Sequence, residues 1–248
     1  MTGAASTGAA SRPAGDPMLA VAAIIDQATA ILAGGGLLDG RAPRFDPAGY
    51  RHATLAVEQR FQVPETTISP VMRRFLWQLA RISRPTRIYG AGTYAGFGFA
   101  FLVAGRATVD DEFQAWGVDC DAAATALARR NADHAAAAGA TAFRTGGPLE
   151  LRAADAVADL ATDNQPIDLL FIDVDHPQTR KALYADVLRA ARHRLQPGAL
   201  ILAHDPLVPG FAGDFQRYDA AIVADPALLG PVVLPLDSCG LSIARVVS

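Results

Sequence analysis

From Thr86 to the carboxyl end, short apolar runs alternate with longer segments of helical spacing, and this alternation constrains the fold more than any other feature of the chain. Strands that are each followed by a helix pack as a parallel sheet covered on both faces. The candidate strands are Thr86–Tyr89, Gln114–Val118, Thr141–Arg144, Asp168–Ile172 and Ala199–Ala203; Ala122–Ala138, closed by Gly139, is the clearest helix between them. Two last runs, Pro231–Leu236 and Leu241–Val247, flank Asp237-Ser238-Cys239-Gly240 and read as an antiparallel hairpin at the sheet. The seven runs predict an α/β, doubly wound, mostly parallel sheet with an antiparallel closing hairpin.

Ahead of the sheet, residues 1–17 are small and polar and read as a flexible tail. Residues 18–84 are expected to form a helical cap, with helices over Met18–Leu38, Tyr50–Phe61 and the stretch from Pro70, which has Ser69 as N-cap and proline at its first position. Residues 85–248 form the core, in one compact domain with the cap. The length of 248 residues suits this, and a hydrophobic fraction of 51% against 19% charged excludes global disorder. The net charge of −3 and the lack of a Lys/Arg cluster give no nucleic-acid footprint, so a small-molecule substrate is expected. Met18–Ala33 carries Asp26 and Gln27 and is too short to span a bilayer. With no signal-peptide order and only Cys120 and Cys239, both read as structural, a cytoplasmic protein without a membrane partner is expected. Homodimerisation is compatible with such a chain.

In an open parallel sheet, ligands bind beyond the carboxyl ends of the strands. The runs ending in Asp173-Val174-Asp175-His176 and in His204-Asp205 therefore mark a working site. A second mark is the passage Arg87-Ile88-Tyr89-Gly90-Ala91-Gly92-Thr93-Tyr94-Ala95-Gly96-Phe97-Gly98, a strand leading into a glycine-rich turn and an apolar helix. Glycine lets a ligand approach the backbone closely. Asp119, at the end of the next strand, can accept the hydroxyls of a ribose. Asp155 follows the third strand region and either receives an adenine amino group or caps a helix.

On Gly92-Thr93-Tyr94-Ala95-Gly96-Phe97, Gly117-Val118-Asp119-Cys120-Asp121, Phe171-Ile172-Asp173-Val174-Asp175-His176 and Leu195-Gln196-Pro197-Gly198-Ala199-Leu200-Ile201, the chain resembles class I S-adenosylmethionine-dependent methyltransferases. The catechol O-methyltransferase-like and macrocin O-methyltransferase-like branches are the most similar, and the resemblance spans roughly Ser69 to Val247. It implies a Rossmann-like fold with S-adenosylmethionine held by Gly90, Gly92, Thr93, Tyr94, Gly96, Asp119, Cys120, Asp155 and Asp173. One departure stands out. Where the family usually carries an acid two residues before Gly92, this chain has Gly90.

The resemblance also implies magnesium or another divalent ion at Asp173, His204 and Asp205, although histidine favours a softer ion. Without a metal, His176 or His204 is the candidate general base, since an ordinary imidazole titrates near neutrality. Asp173, His176 and His204 are thus the catalytic candidates, with Tyr50, Met72 and the stretch from Pro206 to Tyr218 expected to contact substrate. The leading expectation is methyl transfer to oxygen of a small molecule. The alternatives are intramolecular cyclisation of S-adenosylmethionine with release of methylthioadenosine, a nicotinamide-dependent oxidoreductase using Gly90, Gly92 and Ala95, and a non-catalytic binding protein.

Overall fold

The computed structural model describes residues 17–40, 42–64, 68–176 and 178–247. Residues 1–16 of the expected tail lie outside them. The helices α1 (Pro17–Gly34), α2 (Pro47–Arg60) and α3 (Pro70–Ser83) precede the first strand. Capping residues fix two of these starts: the Asp46 carboxylate accepts from Ala48 and Gly49, and the Ser69 hydroxyl accepts from the Met72 amide at 3.1 Å.

The strands are β1 (Arg87–Ala91), β2 (Gln114–Asp119), β3 (Leu149–Ala153), β4 (Ile167–Ile172), β5 (Leu195–His204), β6 (Leu228–Leu234) and β7 (Leu241–Val246). Between them lie α4 (Phe97–Arg106), α5 (Ala122–Ala137), α6 (Ala156–Thr162), α7 (Tyr184–Ala191) and α8 (Ala212–Ala224). All seven strands join one sheet in the order β3-β2-β1-β4-β5-β7-β6. β7 is antiparallel to both β5 and β6, and the other pairs are parallel. The strand order reverses between β1 and β4, and there the register aligns Ala91 with Val118 on one side and Ile172 on the other, while Ile172 pairs with Ala203. The carboxyl ends of β2, β1, β4 and β5 therefore form one edge, at the switch point where such sheets bind ligands.

Strand alternation divides the interior. Ile88, Leu169, Phe171, Leu200 and Leu202 enter the core beneath α1 to α5, and Tyr89, Leu170, Ile172, Ile201 and Ala203 enter the core beneath α6 to α8. The N-terminal helices belong to the first of these layers. Phe45, Tyr50, Trp77 and Phe101 pack with ring centroids 5.7–6.3 Å apart, and Gly105 lets the Trp77 backbone press against α4.

Two expectations need correcting. Thr141–Arg144 is no strand: Thr141–Phe143 is a single 3-10 turn that buries Phe143 against Phe61. The third strand is Leu149–Ala153, whose alternating Leu-Glu-Leu-Arg pattern suits an edge strand rather than a doubly buried one. Tyr50 and Met72 do not face a substrate. Met72 is fully buried, and Tyr50 lies in the aromatic cluster with its hydroxyl donating to Glu58 at 2.7 Å.

Candidate active site

The glycine-rich turn is built by close backbone approach. The Gly92 and Thr93 amides both donate to the Val118 carbonyl, at 2.8 and 3.2 Å, tying the turn to the end of β2. A β-carbon on Gly92, whose φ is +79°, would lie 2.5 Å from the Asp173 carbonyl oxygen, so only glycine lets the loop after β4 pass here. Tyr94 is exposed and holds a left-handed backbone, and its amide donates to Asp119 Oδ2 at 2.7 Å. Asp119 Oδ1 accepts from the Asp121 amide at 2.9 Å, while Asp121 caps α5. The carboxylate is thus fixed by two backbone donors at the cleft edge, beside exposed Cys120. Asp155 caps α6 by accepting from the Ala158 amide at 2.8 Å, and it too is exposed.

The absent acid at Gly90 has a packing counterpart that the sequence pattern did not reveal. A β-carbon there would lie 2.7 Å from two ring carbons of Phe99, and Phe99 also covers Gly117. The ring fills the volume that a side chain on residue 90 would need. Gly96 opens α4 at a φ of +80° and lies close to Ala128 of α5.

Beyond β4 and β5, the structure gathers Asp173, His204 and Asp205, with ligand-capable atoms within 4.8 Å of one another. Asp237 and Cys239 approach His204 to the same limit, and burial, then the Asp205 carboxylate, push the Cys239 thiol pKa up. At the centre stands a residue that the sequence reading passed over. The Lys181 ammonium lies 3.0 Å from Asp173 Oδ1 and 2.8 Å from Asp205 Oδ2, and its side chain is 3% exposed. Tyr184 and Phe211 present their rings at 5.4 and 5.6 Å. One signal pointed to it: of the 22 basic residues, Lys181 is the sole lysine.

The backbone beside this cluster is strained. Arg180, immediately before Lys181, has φ +51°, and Asp205 has φ +74°. Non-glycine residues pay for such conformations only where the surroundings fix them, and functional sites are where they collect. Electrostatics follow the geometry. Burial works against ionisation of Asp173, but Lys181 and His204 outweigh it and hold the carboxyl below its usual range. Burial likewise opposes the charge on Lys181, yet the two carboxylates keep its pKa above the ordinary lysine value. For His204, desolvation is overcome by Asp173 and Asp205, so its pKa also rises.

The histidines divide. His204 is fully buried, with Nδ1 3.1 Å from Asp205 Oδ1 and 3.5 Å from Asp173 Oδ1, and no path to an acceptor molecule. These are ion-pair distances without hydrogen-bond alignment, since neither imidazole nitrogen has a hydrogen-bond partner. His176 lies at the surface of the loop, where Nδ1 accepts from the Gln178 and Thr179 amides at 3.3 and 3.4 Å. Asp173, with a side chain 24% exposed, is the member of the charged cluster that reaches the cleft most openly. A cavity of about 840 Å³, lined by Thr86, Arg87, Gln114 and Pro148, opens at the opposite ends of the strands and has no part in this site.

Residues 90–206 match the family described as Methyltransferase domain. A curated relative, the catechol O-methyltransferase of Niastella koreensis, is 27% identical over 161 residues, which are 64% of this chain and 67% of the relative. Among solved structures, an O-methyltransferase from Bacillus cereus in complex with SAH has a TM-score of 0.61 at 19% identity, covering 90% of this chain and 96% of its own. The SAH-bound methyltransferase of Podospora anserina also reaches a TM-score of 0.61, at 18% identity, over 97% of this chain and all of its own. The matched domain lies within a Rossmann-like fold shared with these SAH-bound structures, and together with the curated relative it supports S-adenosylmethionine-dependent methyl transfer. Among the described residues no helix is long and apolar enough to cross a membrane.

Proposed function

We propose that the chain transfers the methyl group of S-adenosylmethionine to an oxygen of a small molecule. The observation that carries this is the shared edge at the β1–β4 switch, where the glycine turn and Asp119 stand next to the Asp173 loop, with Gly92 in contact with the Asp173 backbone. Gly92, Thr93, Tyr94 and Gly96 receive the methionine portion, Asp119 the ribose hydroxyls beside Cys120, and Asp155 the adenine edge. Gly90 contributes by leaving room for Phe99, whose ring backs the turn. The relative's name supports oxygen as the acceptor atom.

In the transfer, an acceptor oxygen lone pair forms a bond to the methyl carbon as the carbon–sulfur bond breaks, S-adenosylhomocysteine leaves, and the hydroxyl proton is lost to water by way of Asp173. The sulfonium is already a strong donor, so the protein's share is alignment and exclusion of water. Asp173 accepts a hydrogen bond from the acceptor hydroxyl and orients its lone pair toward the methyl group. His204 works through Asp173 and Asp205 as a positioning residue, because it is buried beneath them. Incubation with S-adenosylmethionine and a panel of small hydroxyl compounds tests the reading by mass spectrometry. A methylated product with S-adenosylhomocysteine supports it. Release of methylthioadenosine, or failure to bind S-adenosylmethionine in calorimetry, overturns it.

A further inference from the structure

We infer that Lys181 is a built-in cation standing where a divalent ion would otherwise bridge Asp173 and Asp205, so that this site works without a metal and takes acceptors that need not chelate one. The inference deepens the methyl-transfer reading at the same site and rests on it for the acceptor alone.

The donor set of Asp173, His204 and Asp205 is of a kind that binds divalent ions. In this chain one oxygen of each carboxylate faces the Lys181 ammonium, at 3.0 and 2.8 Å. These are full charge-assisted contacts, made by a side chain sealed from solvent. An ion entering the same space would meet a like charge at about 4 Å or less, in a site that water screens poorly. The ammonium has no easy way out, since Tyr184 and Phe211 flank it and its stem is buried. Arg180, next to Lys181, and Asp205 both hold positive φ, so strained backbone lies on both sides of the contact. In a chain that otherwise uses arginine for every basic position, a lysine here is chemically apt. An ammonium is compact and point-like and sits between two carboxylates as a small ion does, whereas a guanidinium is a broad planar fork.

The substrate class changes with the cation. A bound divalent ion offers open coordination positions and so favours acceptors with two adjacent oxygens. An ammonium bound to two carboxylates at the floor of the site offers no such pair of positions. The acceptor is therefore a small molecule with an isolated hydroxyl, held by the cleft and by Asp173, with no requirement for a vicinal diol.

The test uses Mn²⁺ alone as the probe, followed by its paramagnetic resonance spectrum, with the purified full-length protein and with Lys181→Met. The wild-type protein is expected to leave millimolar Mn²⁺ free and to keep its S-adenosylmethionine affinity after exhaustive chelation. Lys181→Met, which retains the bulk but removes the charge, is expected to bind one Mn²⁺ at least about a hundredfold more tightly, the scale of releasing one like charge at ~4 Å in a partly screened site. Adding Asp173→Ala to that variant should abolish the gained binding. Stoichiometric Mn²⁺ binding by the wild-type protein that Asp173→Ala removes overturns the inference, as does a folded Lys181→Met protein that still binds none. If Lys181→Met does not fold, the wild-type measurement decides alone. None of these readouts requires methyl transfer, so a wrong acceptor assignment and a wrong cation assignment give different results.

Discussion

The two halves of the site are made by opposite means. At the proposed cofactor end, backbone amides do the work: Gly92, Thr93, Tyr94 and Asp121 donate to Val118 and Asp119, and the Asp119 carboxylate lies near the surface. At the proposed acceptor end, side chains from distant parts of the chain meet in a buried ionic cluster, with Lys181 from the turn after β4 clamped between Asp173 and Asp205. A site built from backbone tolerates exchange of most side chains but not of its glycines. A site built from buried charge tolerates almost no single change, because removing one partner strands the others.

The sharpest break in that comparison is Lys181→Met. It leaves two carboxylates facing each other without their cation, and loss of about 3–5 kcal/mol of stability is expected in urea denaturation without divalent ions. Added Mn²⁺ should recover part of that loss by binding the folded state. A variant as stable as the parent would show that the cluster is not held by charge. Next in size is Gly92→Ala, whose new β-carbon collides with the Asp173 carbonyl at a φ of +79°. Cofactor affinity should fall by up to ~3 kcal/mol, the upper end of local backbone strain, and unchanged calorimetric binding would separate the turn from the cofactor.

Asp119→Ala keeps the backbone turn and removes only its acceptor. Affinity for S-adenosylmethionine should drop by about 1–3 kcal/mol while thermal stability changes little, as expected for lost bonds to a charged group. A loss of stability without loss of affinity would make Asp119 a loop brace and nothing more. The smallest effect is expected for His176→Ala. Its Nδ1 is engaged by the amides of its own turn, so the change should cost about 0.5–1.5 kcal/mol of stability and leave the pH dependence of kcat in place. Loss of a titrating limb near neutrality would restore His176 as the base.

Much of this was legible in the chain. Short apolar runs and helical spacing placed six of the seven strands and the closing hairpin, since buried parallel strands are nearly continuous apolar runs. The missed strand, Leu149–Ala153, lies at the sheet edge and alternates polar with apolar residues, while Thr141–Phe143 imitates a strand because one turn can bury a phenylalanine. Asp173, His204 and Asp205 were legible as a group because each ends a strand. Lys181 was not, since an isolated lysine in a turn carries no local mark of burial.

The sequence by itself determined the layer order of the molecule, the glycine turn and the acids that end β2, β4 and β5, because these depend on local periodicity and on residues next to one another in the chain. Only the tertiary structure decided that Phe99 fills the space beside Gly90 and that Lys181 enters between Asp173 and Asp205. Both depend on distances between residues well apart in the chain, and such distances exist only once the layers have packed.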